Sequence, residues 1–180
     1  MKGFFILKIS ELEYWTTKLG LTPHPEGGYY KRTFESGEKV SSKELSVNYA
    51  GQRKLYTSIY FLLTSKDISH FHRLKSDELW YYHGGCSLTV HVIHENGEYE
   101  EIELGMDLEK GEVPQALVPK NSIFGSSVKE EGTCSLVGCM VSPGFDFQDF
   151  ELFTQDELLE KYPQHREIIL KMAYKEIPKF

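Results

Sequence analysis

Between Leu55 and Val141 the chain breaks into short runs in which apolar and polar residues alternate. The runs are Tyr56–Thr64, His70–Leu74, Glu78–His83, Leu88–Ile93, Glu98–Leu104, Ala116–Pro119 and Ser135–Ser142. Clusters of Gly, Asn, Asp, Ser and Pro separate them, at Ser65–Asp67, Gly84–Gly85, Glu95–Gly97, Lys120–Ser122 and Glu130–Gly132. Many short strands with turn chemistry at this spacing predict an antiparallel sandwich or barrel. No alternation of strands with helices appears, which argues against a doubly wound sheet.

The two ends read differently. Ser10-Glu11-Leu12-Glu13 has the form of a capping box, followed by an apolar face of Leu12, Trp15 and Leu19 and a stop at Gly20. A second box, Thr154-Gln155-Asp156-Glu157, precedes Leu158, Leu159 and Tyr162; after Pro163 an apolar stripe continues through Ile168, Ile169 and Met172. These predict an N-terminal helix and two short C-terminal helices against the outside of the barrel. The segment Thr22–Gly28 carries two prolines and two glycines and must be a shaped loop. Tyr29–Phe34 reads as a strand, and Ser36–Lys54 as a polar surface excursion. The expected organisation is one domain over residues 1–180, with helix and loop at about 10–28, barrel at about 29–150 and helices at about 155–173.

Composition narrows the function. The 11 Tyr and 11 Phe favour β-structure. A net charge of -7 with no dense basic run speaks against a nucleic-acid partner, while a locally basic pocket still leaves room for an anionic ligand. Cys86, Cys134 and Cys139 form no CxxC and read as reduced thiols in a cytoplasmic protein. Gly3–Leu7 is too short for a signal segment or a membrane span.

The chemistry concentrates between Ser69 and Gly85. Strand alternation puts His70 and His72 on one face, and Glu78, Trp80 and Tyr82 on one face of the next run. Phe71, Leu79 and Tyr81 then point outward. Two imidazoles and a carboxylate converging from adjacent strands could hold a divalent transition metal or work as an acid–base pair. Trp80, Tyr82 and Tyr60 could wall a pocket, although core packing is the commoner fate of such residues. Glu26, on its stiff loop, is either a solvated turn carboxylate or a pocket residue; Gln115, after Pro114, either orients a ligand or closes a turn. His24 reads as structural, and His83 and His91 as lone strand histidines, exposed or satisfied. Ser142–Phe147 reads as architecture, with Phe145 and Phe147 stapling the chain's exit from the barrel. Asp146 and Asp149 read as surface or capping groups.

These residues resemble the cupin superfamily. Its first motif, G-x5-H-x-H-x3,4-E-x6-G, is matched by His70, His72, Glu78 and Gly85, with five residues between His72 and Glu78 and Thr64 in place of the leading glycine. Its second, P-x-G-x2-H, falls on Pro119–Phe124, with Asn121 at the glycine and Phe124 where the fourth ligand would be. Pro23–Tyr29, His72-Arg73, Asp77–Trp80, Val113–Gln115 and Val141–Phe150 are similar to the uncharacterised cupin_5-type subfamily, from about Leu12 to Phe153. The resemblance implies a double-stranded β-helix (jelly-roll barrel) and a homodimer, but no settled reaction.

The sequence therefore points to a cytoplasmic, small-molecule-binding cupin domain, with no membrane or nucleic-acid partner. Its pocket is built around His72, Glu78 and Trp80, with Glu26, Tyr82, Gln115 and Phe124 as further ligand contacts. One alternative is a metal-free epimerase or isomerase acting on a sugar-like or carbonyl metabolite through His72 and Glu78. The other is a divalent-metal enzyme using His70, His72 and Glu78.

Overall fold

In the computed structural model, residues 10–45 and 49–179 are described; the Gly3–Leu7 stretch lies outside them. Ser10 starts helix α1 (Glu11–Leu19) by accepting the Glu13 N–H on its Oγ at 3.2 Å, and Gly20, at φ 66°, ends it in the left-handed region. The strands follow as β1 (Thr22–Pro23), β2 (Tyr29–Glu35), β3 (Lys39–Val40), β4 (Arg53–Lys54), β5 (Thr57–Thr64), β6 (Ile68–Leu74) and β7 (Asp77–Gly85). Then come β8 (Leu88–Ile93), β9 (Tyr99–Leu104), β10 (Gln115–Val118), β11 (Ile123–Ser127), β12 (Cys134–Ser142) and β13 (Phe150–Leu152). Helices α2 (Gln155–Lys161) and α3 (Arg166–Met172) close the described chain, α2 starting from a reciprocal capping box between Thr154 and Glu157.

The strands form a six-stranded sheet, β1-β2-β5-β12-β7-β10, and a five-stranded sheet, β13-β6-β11-β8-β9, with every named pairing antiparallel. Alternation turns Phe61, Leu63, Trp80, Val90, Val92 and Val137 into one shared interior. The outer face of β5 and β12, at Leu62 and Leu136, is covered by Leu12, Trp15 and Leu19 of α1. On the other sheet, Phe71, Ile93 and Ile123 point outward onto Leu158, Ile169 and Met172 of the C-terminal helices. Burying each such large side chain contributes roughly 1.5–3 kcal/mol. No helix among the described residues is long and apolar enough to cross a membrane.

The alternation pattern does not mark every strand. Strand β11, Ile-Phe-Gly-Ser-Ser, looks like turn sequence yet is wholly buried. Its small residues are what the position demands: a Cβ on Gly125 would come within 2.4 Å of the Ser69 carbonyl oxygen. The expected surface excursion before β5 carries Arg53, which is buried rather than solvated.

Candidate functional site

The loop before β2 is fixed by its glycines. Gly27 and Gly28 have φ of 116° and 72°, and a Cβ would sit 2.0 Å from the Ile68 carbonyl oxygen at Gly27 and 2.7 Å from that of Leu62 at Gly28. The loop can thus lie flat across the edge between the sheets, turning Glu26 inward until it is only 7% exposed. Three contacts hold its backbone. The Glu26 carbonyl accepts from the His70 N–H at 3.0 Å and from His70 Nδ1–H at 2.8 Å, while its own N–H donates to His24 Nδ1 at 3.3 Å. Tyr174, after α3, stacks on the His70 ring at 3.6 Å between centroids and donates its hydroxyl to the Pro25 carbonyl at 3.2 Å.

This arrangement corrects the expectation that His70 points into the barrel beside His72. In β6 the pairing with β11 shifts between Phe124 and Ser126, so that His70 and Phe71 together oppose Gly125. Such a bulge reverses the phase of alternation. Ser69 therefore shares the interior with His72 and donates its Oγ–H to Glu26 Oε1 at 2.9 Å. His70 lies against Tyr174 instead.

His72 is 2% exposed, packed against the Phe124 ring at 4.1 Å and the Phe150 ring at 5.2 Å. Its Nδ1 is 2.8 Å from the His70 carbonyl oxygen, which can only accept, so the proton sits on Nδ1. Nε2 is left facing Glu26 Oε2 at 3.4 Å. The carboxylate that meets His72 is thus Glu26, and not Glu78 as the spacing suggested.

Glu78 nevertheless faces the same cavity from β7, with Asp77 turned outward to accept the Lys120 N–H at 2.8 Å. Burial, and then the negative charge of Glu26, push the Glu78 carboxyl up to about 8. The Cys139 thiol hydrogen-bonds to Glu78 and is itself held well above the ordinary thiol range, chiefly by burial. Burial also lowers His24 and His70.

The cavity measures about 420 Å³ and is walled by Ile59, Phe61, Trp80 and Val141 on one sheet and His72 and Leu74 on the other. His24, read as structural, is among its lining residues. So are Phe145, Phe147 and Phe150, on a flap that leaves β12. The flap is held by Phe145 N–H donating to Thr57 Oγ1 at 2.9 Å and by Arg53, whose Nε and Nη2 donate to the two Asp149 oxygens at 2.6 and 3.0 Å. Asp149 is therefore a buried anchor rather than a surface or capping group, and Phe145 and Phe147 form a cavity wall. Asp146 does cap, accepting the Gln148 N–H at 3.0 Å.

Other expected contacts lie elsewhere. Tyr82 packs against the interior one level away, its hydroxyl donating to the Gly85 carbonyl at 2.5 Å. Tyr60 is under α1, on the outer face. Gln115 is exposed on the edge strand β10, opposite Tyr81. Phe124 packs behind the cavity in the core, between His72 and Trp80, the latter at 6.4 Å between centroids. Asn121 adopts the left-handed conformation, at φ 65°.

The residues do not fit the metal that the cupin resemblance suggests. His70 is turned away, a phenyl ring occupies the fourth position, and among the described residues no three His, Cys, Asp or Glu side chains are grouped to hold an ion. What the site brings together is a histidine–carboxylate pair and a second carboxyl, which burial pushes up.

Comparison with known proteins agrees with this fold. The family described as Cupin superfamily (DUF985) matches residues 13–153. A hypothetical protein from Leishmania major superposes with a TM-score of 0.84 at 46% identity, covering 91% of this chain and 98% of that one. A Shewanella oneidensis protein gives 0.79 at 47%, covering 91% and 97%. An uncharacterised protein of Saccharomyces cerevisiae is 29% identical over 160 residues, 83% of this chain and 79% of its own. Oxalate decarboxylase from Bacillus subtilis, at 16% identity and a TM-score of 0.51 over 88% of this chain and 40% of that one, shares the fold alone. A mainly β, antiparallel barrel with this match over most of its length belongs to the cupin superfamily, in the DUF985 family.

Proposed function

We infer that the cavity binds a small carbonyl metabolite and moves a proton on it without a metal. The observation that carries this reading is the pairing of environments: Glu26 meets His72 Nε2 on one side, while Glu78 is held as a neutral acid in the same cavity. A carboxyl that burial holds neutral, in one cavity with a histidine–carboxylate pair, supplies an acid beside a base. The Glu26–His72 pair takes the proton from the carbon beside the carbonyl. The C–H electron pair becomes the C=C bond of an enol, and the carbonyl oxygen takes the Glu78 proton. Return of that proton to Glu78 with re-protonation of the same carbon by the Glu26–His72 pair exchanges its hydrogen with solvent. Where the enol carries a second hydroxyl, loss of that hydroxyl's proton to Glu78 and protonation of the former carbonyl carbon complete an isomerase's step. His70 and Tyr174 act by positioning Glu26, and the aromatic flap keeps water from the enol.

The test is proton exchange. Aldoses, ketoses and 2-oxo acids are incubated with the protein in D2O, and loss of the C–H signal beside the carbonyl is followed by NMR. Catalysed exchange that Glu26→Gln and Glu78→Gln each abolish is the expected result. Binding seen by thermal shift with no exchange for any substrate would reduce the domain to a metabolite binder. Sedimentation at micromolar concentration tests the accompanying homodimer, against which a monomer alone would count.

A further inference from the structure

The chain is acidic overall, yet cations line its cavity. Arg32 pairs with Ile59, which pairs with Cys139, which pairs with Trp80, so these residues form one transverse row across the six-stranded sheet. With neighbouring strands about 4.8 Å apart, three spacings put the Arg32 backbone about 14 Å from that of Trp80. Arg32 thus stands at one side of the cavity, with the buried acid and aromatic wall at the other.

Little holds its guanidinium there. Its ion pair is with Glu35, at 3.6 Å, and both side chains are 45% exposed. Such an exposed pair is weak. Glu35 also pairs with Lys54 at 3.2 Å, so it keeps a partner if Arg32 turns to a ligand. Lys31, beside it, donates to the Leu19 carbonyl at 2.8 Å and adds a second positive charge at the mouth. Deep in the wall, the Trp80 indole N–H is buried with no hydrogen-bond partner among the described residues, a donor in want of an acceptor.

We propose that the ligand is a ring-bearing organic anion with a carbonyl group. Its carboxylate or phosphate pairs with Arg32, its ring lies against Phe145, Phe147 and Phe150, and its carbonyl oxygen brings an acceptor to the wall that holds Trp80 and Glu78. This rests on the proton-transfer reading for the carbonyl alone; the anion and the ring rest on Arg32 and the flap. A guanidinium reads carboxylate and phosphate oxygens through paired N–H groups, which a neutral ester cannot match.

Isothermal titration with phenylpyruvate, its neutral methyl ester and phenyl phosphate tests this on the wild-type protein and on Arg32→Gln. At least one of the two anions should bind tenfold or more tightly than the ester, the stronger of them identifying the anionic group. Arg32→Gln should erase that preference while leaving ester binding unchanged and the circular dichroism spectrum intact. Equal binding of acid and ester, a preference that survives in Arg32→Gln, or no binding by any of the three would overturn the proposal. Exchange of the phenylpyruvate C3 protons separates it from the catalytic reading. Anion-selective binding with no catalysed exchange leaves this inference standing and removes the other, whereas catalysed exchange on the ester as fast as on the acid does the reverse.

Discussion

His72 and His91 flank the same strand, β11, from β6 and β8, and both are buried, at 2% and 1% exposure. One faces the cavity, the other the outside of the sheet under α3, and their hydrogen bonds differ in kind. Around His91 the chain of donors is closed. Tyr99 hydroxyl donates to Glu101 at 2.8 Å, so it accepts from His91 Nδ1–H at 2.7 Å, and His91 Nε2 is left to accept the Ser127 Oγ–H at 2.9 Å. Burial holds His91 down to about 4, and it stays neutral. Around His72 the chain is open: Nδ1–H is satisfied, but Nε2 and a Glu26 oxygen face each other across 3.4 Å, with no hydrogen bond joining them among the described residues. A satisfied network locks structure. An open one, beside a cavity and a second acid, is placed for proton traffic.

The largest expected effect sharpens that contrast on stability. His91→Ala leaves Tyr99 and Ser127 without their partner and opens a cavity under α3, so unfolding in urea should show a loss of about 3–4 kcal/mol. Proton exchange by the surviving folded protein should be unchanged. His72→Gln should do the opposite, abolishing exchange while moving stability by about 1 kcal/mol or less. Equal stability losses in the two variants would erase the distinction.

The two networks also bend stability in opposite directions with pH. Glu78 titrates at about 8 in the folded chain against an ordinary 4.5, so the native state binds the extra proton between those values. Its contribution is complete below 4.5 and is lost as pH rises through 8. His91 is lowered from 6.5 to about 4, so the unfolded state binds the extra proton, and stability is lost as pH falls from 6.5 toward 4. Each full proton is worth about 1.4 kcal/mol per pH unit. Their slopes cancel between about 4.5 and 6.5. Glu78→Gln should therefore remove the decline between pH 6.5 and 8, so that, taken relative to its own value at pH 6.5, the variant stands about 2 kcal/mol above wild type at pH 9. His91→Gln should convert the flat interval into a continuous fall. Urea midpoints across pH 4–9 measure both, and a Glu78→Gln curve parallel to wild type would show that this carboxyl titrates normally.

Much of this architecture could be read from the alternation pattern, because a half-buried strand has to alternate and a helix needs its cap. The expected β7, β8 and β10 runs lie within a residue or two of the observed strands, and both caps sit on the expected Ser10 and Thr154. What alternation cannot reveal is its own interruption. The bulge opposite Gly125 moved His70 off the cavity face and put Ser69 there, and a glycine between Phe124 and Ser126 gives no sign of which strand it will meet. Pairings across long separations were equally hidden: nothing near Arg53 announces Asp149, and nothing near Tyr174 announces His70. The Pro-His-Pro-Glu-Gly-Gly loop lay between. Its stiffness was legible and its destination was not, since that depends on the Ile68 and Leu62 carbonyls it must pass.

The smallest predicted effect asks how far the open network depends on support outside the cavity. Tyr174 lies 149 residues along the chain from Pro25, yet it touches the Glu26 loop twice, through the His70 ring and the Pro25 carbonyl. Removing both contacts with Tyr174→Ala should weaken stability by about 1–2 kcal/mol, while Tyr174→Phe, which keeps the stack and loses one hydrogen bond, should lose about 0.5–1.5 kcal/mol. The discriminating readout is kinetic. If Tyr174 positions Glu26, the alanine variant should exchange substrate protons more slowly at saturation with little change in KM, and phenylalanine should restore most of the rate. Lost orientation acts on the step in which the Glu26–His72 pair takes the proton, and small misplacements of a base have large effects on rate. A stability loss with an unaltered rate would mean that the stack only fastens the C-terminal segment to the barrel, leaving Glu26 to be held by its two glycines and by His70, His24 and Ser69.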